Sequence, residues 1–206
     1  MGYLPPRGRE TWGEGRRIMR KLKTIEMNRL SVEEFRQTDK MPLIVVLDDV
    51  RSMYNVGSVL RTSDAFRVEA VYLCGITGRP PHPEIHKTAL GAEESVSWQY
   101  FPSALEAVRQ LQAEGYHVFA VEQAEGSTKL HQMDGLLSEL TPYTNADGTS
   151  KKRCAIVMGN EVKGVHQEVV DACDDCLEIT QFGTKHSMNV AVTAGIVIWE
   201  FARRLL

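Results

Sequence analysis

The stretch "LIVVLDDV", residues 43–50, constrains the fold of this chain more than any other segment. It is a continuous run of apolar, mostly β-branched residues that ends in acids, which is typical of a parallel strand covered by helices on both faces. Strand-like and helix-like stretches then alternate to the end of the chain. This alternation predicts an α/β fold in which a parallel sheet is flanked by helices.

Sequence patterns place the individual elements. The predicted strands are residues 43–50, 70–74, 117–121, 154–158 and 176–179. The predicted helices are residues 15–29, a short helix opened by the capping-box pattern at Ser31, then 55–66, 84–88, 103–114, 165–172 and a final helix after Asn189. The polar stretch 141–152 is predicted to be an exposed excursion.

Length and composition predict one large domain with an appendage. The chain has 206 residues, of which 43% are hydrophobic, so residues 43–206 can bury a sizeable core. The longest apolar run, residues 191–198, is too short to cross a bilayer, and no secretory signal is recognisable, so we expect a cytoplasmic protein without a membrane partner. Cys173 and Cys176 are separated by two acids and have no matching second pair, which favours a structural role and no metal site.

Positive charge is concentrated in the first forty residues. They contain ten Lys and Arg against six Asp and Glu, although the whole chain carries a net charge of −3. We therefore expect residues 1–42 to form a basic helical extension that contacts a polyanion such as RNA. A solvated helix face or a disordered leader explains such a run about as often.

Three polar clusters follow predicted strands. Asn55 and Arg61 lie in the helix after the first strand, Glu161 lies in "MGNEVKG", and Ser187 and Asn189 precede the last helix. Taken singly, each cluster has a simple structural explanation as helix cap, turn or surface charge. Because ligands bind beyond the carboxyl ends of parallel strands, the three together predict one shared site at that edge.

Several common sites are missing from the sequence. No GxGxxG follows the first strand, and no GxxxxGK[ST] loop is present, so a nucleotide-like ligand needs another mode of binding. Ser187 lacks the GxSxG turn of a hydrolase nucleophile.

The segments "NVGSVLRTSDAF", "IVMGNEVKGV" and "LEITQFGTKHSMNVAVTAGIVIWEF" resemble, in order, the three motifs of the SpoU, or TrmH-like, class of SPOUT RNA methyltransferases. The resemblance covers residues 43–206. It implies a C-terminal deep trefoil knot, a homodimer and an S-adenosylmethionine cofactor bound against the knotted loops. By position, it implies that the residues contacting the cofactor are Glu122, Gly159, Ile179 and Met188.

The activity implied by the resemblance is methylation of a ribose 2′-hydroxyl in RNA. Arg61 has the central role, either as the base or as the group that fixes a nearby phosphate. A guanidinium scarcely deprotonates in proteins, which favours phosphate anchoring. Hydrogen-bonding groups around the reaction would be Asn55, Glu161, Ser187 and Asn189, with Glu161 paired to a cation such as Arg61 of either subunit.

The RNA substrate is left open by the sequence. Transfer RNA is favoured because only residues 1–42 precede the resembling region, whereas many relatives that act on ribosomal RNA carry a separate folded N-terminal domain. Ribosomal RNA is the alternative substrate. A non-catalytic RNA-binding or assembly factor of the same fold is the rival to an enzyme.

Overall fold

A seven-stranded sheet, parallel at every neighbouring pair of strands, forms the centre of residues Val32–Leu206. The computed structural model describes residues 19–144 and 148–206. The strands of the sheet are β1 (Met41–Asp48), β2 (Val68–Cys74), β3 (Trp98–Phe101), β4 (His117–Val121), β5 (Thr128–Lys129), β8 (Cys154–Met158) and β9 (Asp175–Glu178), and a separate antiparallel pair is formed by β6 (Tyr143–Thr144) and β7 (Ser150–Lys151). The order across the large sheet is β3-β2-β1-β8-β4-β9-β5.

Helices cover both faces of this sheet. They are α1 (Val32–Gln37), α2 (Met53–Ala65), α3 (Pro83–Ala89), α4 (Ala92–Ser95), α5 (Ala104–Ala113), α6 (Asp134–Glu139), α7 (Gln167–Ala172) and α8 (Val190–Leu205), with a short 3₁₀ helix at Leu130–Gln132. One core cluster contains the buried residues of α2 and α8, and the other contains those of α5 and α7. Across the described ranges, no helix is long and apolar enough to span a membrane.

Strand β1 shows why the sheet must be covered twice. Leu43, Val45 and Leu47 belong to one core cluster, whereas Ile44 and Val46 belong to the other. Successive side chains of a strand point to opposite faces, so a continuous apolar run is buried on both. The α/β fold with a parallel sheet and flanking helices is confirmed.

The C-terminal helix α8 packs into the first of these clusters. Its residues Ala194, Val197, Ile198 and Phe201 are fully buried. The Phe201 ring meets the ring of Phe119, on β4, edge-on with centroids 5.6 Å apart. This packing explains why the terminal helix is so apolar.

Strands β4 and β8 have the bounds that the sequence predicts. Strands β3 and β5 were not predicted from the sequence. Three of the four residues of β3 are exposed, and β5 has only two residues. The excursion is exposed at its described residues 141–144 and 148–151. The trefoil knot stays a prediction.

The basic extension differs from its prediction. Residues 15–18 of the predicted helix lie outside the described residues, and the helix is wrong for the remainder, where only Thr24–Met27 form a 3₁₀ turn. No residue of that turn is buried, and an isolated helix without a packed apolar face is marginal. The left-handed Asn28 (φ 46°) ends the turn.

The second predicted helix, α1, belongs to the larger unit, where Phe35 is buried in the core. That compact unit begins at Val32, earlier than residue 43, where the sequence analysis begins the domain. The assignment of residues 1–42 to RNA contact stays a prediction.

Replacing Phe201 by Ala should lower the free energy of unfolding by about 3–5 kcal/mol, because the substitution leaves a cavity against Phe119. The matched control is Phe182→Ala, since the Phe182 side chain is 95% exposed and that of Phe201 is 0% exposed. The control should change stability by no more than about 0.5 kcal/mol. Urea unfolding followed by circular dichroism measures both, and equal losses would contradict the packing described for α8.

Candidate functional site

A cavity of about 270 Å³ lies beyond the carboxyl ends of β4, β8 and β9, near the lower end of the range for small-molecule sites. Its walls are the loops that follow these strands and the beginning of α8. Six of the residues predicted as site residues line it: Glu122, Gly159, Glu161, Ile179, Ser187 and Met188. The predicted convergence of strand-following loops thus has a geometric counterpart.

Asn160 organises the loop between β8 and α7. Its backbone N–H donates to the carbonyl of Gly164 and its carbonyl accepts from the N–H of Gly164, both at 2.9 Å. Its side-chain oxygen accepts from the N–H groups of Val162 and Lys163, and its side-chain amide donates to the Asp49 carbonyl at 2.7 Å. The sequence analysis does not single out Asn160, although an Asn directly after a strand and a Gly is a recognisable turn signal.

Two glycines allow this loop to close. A Cβ on Gly159 would lie 2.1 Å from the carbonyl carbon of Gly164 and from the nitrogen of Val165. Gly164 has φ +71°, and a Cβ there would lie 2.1 Å from Oε2 of Glu122. The same Glu122 oxygen accepts from the N–H of Val165 at 3.0 Å, so the side chain of Glu122 packs against this loop and supports it.

Glu161 connects the loop to the start of α2. Its Oε1 accepts from the N–H of Ser52 at 3.0 Å and from the side-chain amide of Asn55 at 2.9 Å, and its Oε2 accepts from the N–H of Arg51 at 3.0 Å. The side-chain amide of Asn189 in turn donates to Oδ1 of Asn55 at 3.1 Å. One hydrogen-bonded chain therefore joins residues from all three sequence motifs.

Within the described residues of one chain, Glu161 does not pair with a cation such as Arg61, and its pairing with Arg61 of a second subunit stays a prediction. The partners of Glu161 are neutral amide groups. The physical reason is that the N–H groups of Arg51 and Ser52, directly before α2, and the side-chain amide of Asn55 already supply donors to the carboxylate, so it is stabilised as an anion without a side-chain cation.

Burial alone would raise the pKa of Glu161, but hydrogen bonds outweigh that effect and the pKa is lowered. The donors are the N–H groups of Arg51, Ser52 and Glu161 itself and the side chain of Asn55. All of them favour the charged form. Glu161 is therefore an anion at neutral pH, held with its oxygens towards α2.

Asn189 also caps the last helix. Its Oδ1 accepts from the N–H groups of Ala191 and Val192, at 2.9 and 3.2 Å. Ser187 is therefore not the cap but an exposed residue of the cavity wall. Similarly, Ser52 caps α2, which leaves the side chain of Asn55 for its bonds to Glu161 and Asn189.

Gln123 is a second residue that the sequence analysis does not identify. Its side-chain amide donates to the carbonyl of His186 at 2.7 Å. This bond ties the loop after β4 to the loop before α8 across the cavity. No sequence signal marks it, because the bond depends on the placement of two loops far apart in the chain.

Arg61 is not part of the cavity wall. Its side chain is exposed on α2 and makes no hydrogen bond or ion pair with any described residue. The neighbouring helix α8 exposes Val192 and Trp199, which are 53% and 54% exposed, and the Trp199 ring lies 5.8 Å from the Phe66 ring.

Asp48, Asp49 and His166 form a group whose ligand atoms lie within 4.8 Å of one another. Oδ2 of Asp48 accepts from the N–H of His166 at 3.0 Å and contacts Nδ1 of His166 at 2.9 Å. These contacts give the group a structural role at the end of β1, where His166 precedes α7. The expectation of no metal stays a prediction.

Residues 42–199 match the family model described as the SpoU rRNA Methylase family. The chain is 29% identical over 181 residues to the 23S rRNA (guanosine-2′-O-)-methyltransferase RlmB of Vibrio parahaemolyticus, covering 88% of this chain and 67% of that protein. It is 28% identical to the tRNA (guanosine(18)-2′-O)-methyltransferase of Thermus thermophilus, covering 88% of this chain and 84% of that protein.

A solved structure shows the same fold. The AdoMet-bound rRNA methyltransferase from Sinorhizobium meliloti superimposes with a TM-score of 0.67 and 26% identity, covering 84% of this chain and 60% of the other. The chain spans 59% to 67% of the length of the first RlmB relatives. A substantial part of those proteins therefore has no counterpart in the matched region.

Replacing Glu161 by Gln should lower the free energy of unfolding by about 1–3 kcal/mol at pH 7, because an amide cannot accept from all of these donors. The folded pKa of Glu161 is depressed, so the stabilisation is present above the unfolded pKa of about 4.3 and is lost as pH falls through the lower folded value. Wild type and variant should thus converge in acid.

Urea unfolding at neutral pH and at acid pH tests this. The exposed Glu139→Gln is the matched control and should leave stability nearly unchanged at both pH values. A difference between wild type and Glu161→Gln that stayed constant with pH would contradict the role of the carboxylate.

Proposed function

We propose, since this chain belongs to the SpoU rRNA Methylase family, that it transfers a methyl group from S-adenosylmethionine to a ribose 2′-hydroxyl of RNA. The observation that carries the proposal is the hydrogen-bonded chain from Asn189 through Asn55 to Glu161 beside the cavity. It joins the three motifs whose loops must act together in such an enzyme. A non-catalytic RNA-binding factor has no evident need for this arrangement.

The cavity suits the proposed cofactor. Ile179 and Met188 supply apolar surface for an adenine ring, and backbone groups near Gly159 supply donors and acceptors for its edges. Glu122 keeps the loop in place through its bond to Val165. S-adenosylmethionine, when bound, supplies an electrophilic methyl carbon, and the Sinorhizobium meliloti relative was solved with this cofactor.

The residues of the chain have to position the ribose. A 2′-hydroxyl is a poor nucleophile, so its oxygen must be held in line with the methyl carbon and its proton must have an acceptor. We assign Arg61 to the phosphate next to the target ribose, because its guanidinium presents several donors in a fixed plane. Asn55, Glu161, Ser187 and Asn189 form the polar surround of the reacting hydroxyl.

Transfer RNA is the proposed substrate. This chain covers 84% of the Thermus thermophilus relative, whose name gives a tRNA substrate, but a smaller share of the RlmB proteins. Ribosomal RNA is the second candidate, since RlmB of Vibrio parahaemolyticus has a similar identity to this chain. The basic residues 1–42 would add phosphate contacts of low sequence specificity.

We propose a homodimer in which Arg61 of one subunit serves the cavity of the other. Two observations support it: Arg61 is absent from the wall of its own cavity, and α8, which packs against α2, exposes Val192 and Trp199. A two-fold interface uses the same patch on both subunits, which would cover these apolar side chains. The expected cytoplasmic location stays a prediction.

The function is tested by incubating the purified protein with S-adenosylmethionine and with total RNA from cells that lack this protein. Mass spectrometry of the digested RNA should detect one new 2′-O-methylnucleoside, and fractionation of the RNA identifies the substrate.

The variant Gly159→Ala should abolish binding of S-adenosylmethionine in calorimetry, because the added Cβ collides with the backbone. Gly135→Ala, whose Cβ would meet nothing within 4 Å, is the control. If the wild-type protein neither binds S-adenosylmethionine nor methylates RNA, the result would favour the alternative of a non-catalytic RNA-binding factor.

The position of Arg61 is tested with heterodimers carrying Arg61→Ala on one subunit and Gly159→Ala on the other, isolated with two affinity tags. If Arg61 acts across the interface, one of the two sites combines the unchanged Gly159 of one subunit with the unchanged Arg61 of the other. The heterodimer should then show about half of the wild-type rate. If Arg61 acts within its own subunit, both sites are defective. The matched control is the heterodimer of wild type and Gly159→Ala, which should show the same half rate. Sedimentation should give a dimer in each case, and an inactive double heterodimer would overturn the proposal.

A further inference from the structure

Phe182 is the most exposed of the large apolar side chains among the described residues. Its side chain is 95% exposed, compared with 82% for Val162 and 54% for Trp199. It lies in the segment 179–189 between β9 and α8, and its neighbour Gln181 lines the cavity, as do His186 and Met188 further along. The catalytic arrangement described above does not use it.

The segment that carries Phe182 is anchored on both sides of the ring. Before it, Leu177 and Glu178 pair with β5. After it, the carbonyl of His186 accepts from the side chain of Gln123 at 2.7 Å, and Asn189 caps α8. The ring is thus presented to solvent by a segment attached to the cavity wall.

Charge around the ring fits a polyanion. The segment 179–189 contains Lys185 and His186 and no acid, and Lys163, on the opposite loop, is also exposed. The two acids of the cavity wall direct their carboxylate oxygens to backbone groups, since Glu122 accepts from the N–H of Val165 and Glu161 accepts from the N–H of Ser52. An exposed aromatic ring between cations is the arrangement on which proteins stack unpaired nucleobases.

We propose that Phe182 stacks on a nucleobase of the RNA substrate beside the cavity, with Lys185 and Lys163 contacting the flanking phosphates. This inference rests on the proposed methyl transfer to RNA. A base held on Phe182 would be unstacked from its neighbours, and its ribose would be fixed next to the cavity where the hydroxyl must react. Phe182 is a positioning residue for the substrate and does not touch the reacting atoms.

The kinetic test compares Phe182→Ala, Phe182→Tyr and the control Gly183→Ala, using total RNA from cells lacking the protein. A Cβ at Gly183 meets nothing within 4 Å, so the control should behave as wild type. Phe182→Ala should lower kcat/KM by about 5- to 100-fold, the usual loss when one stacked base loses its ring. Phe182→Tyr should recover most of the loss, and the affinity for S-adenosylmethionine should be unchanged in all three variants.

Unchanged kcat/KM in Phe182→Ala would overturn the proposal, as would failure of Tyr to restore it. A second readout does not depend on catalysis. Tryptophan fluorescence of Phe182→Trp should be quenched when the same RNA is added, whereas Glu139→Trp, at an exposed position of α6 outside the cavity wall, should show no additional quenching over wild type. Quenching without methylation would refute the proposed enzyme and support the stacking. Methylation without quenching would support the enzyme and refute the stacking.

Discussion

The carboxylate of Glu161 holds the site together, because it satisfies N–H groups at the start of α2 from a loop more than a hundred residues further along the chain. Hydrogen bonds to a charged acceptor are stronger than those between neutral groups, and here they lie beside a partly enclosed cavity. The side chain of Asn55 extends the connection to Asn189 and so to α8. The loops around the cavity are thus fixed relative to one another before any ligand binds, which is the preorganisation that a positioning catalyst requires.

Much of the fold could be predicted from the sequence because buried strands appear in it as runs of apolar residues. Strand β1 is buried on both faces, so its apolar run is unbroken, and β4 and β8 are short apolar runs whose central residues are all buried. Strand β3 carries the opposite signal, since Trp98, Gln99 and Tyr100 are exposed at the edge of the sheet. The helix expected in the basic extension fails for a related reason: charge and propensity say little when no apolar face is packed.

The sequence predicted which loops form the candidate site, but it did not predict the hydrogen bonds between their residues. The rule that ligands lie beyond the carboxyl ends of parallel strands brings Gly159 and Met188 to one place without any knowledge of distances. The partners of Glu161 depend instead on how the start of α2 meets the loop after β8, and Asn160 and Gln123 act through backbone groups that a sequence does not position. Arg61 has no hydrogen-bond or ion-pair partner among the described residues, so its assignment rests on the proposed dimer.

The fit between Gly164 and Glu122 also limits how this loop can evolve. Any side chain at position 164 would overlap the carboxylate of Glu122, and the left-handed backbone there is tolerated without strain only by glycine, with Asn and Asp as the next choices. The carboxylate of Glu122 would therefore have to move aside to admit a side chain there, and that movement would break its bond to the N–H of Val165. A substitution of Gly164 thus removes the acceptor that Glu122 provides for the loop, even though the two residues lie far apart in the sequence.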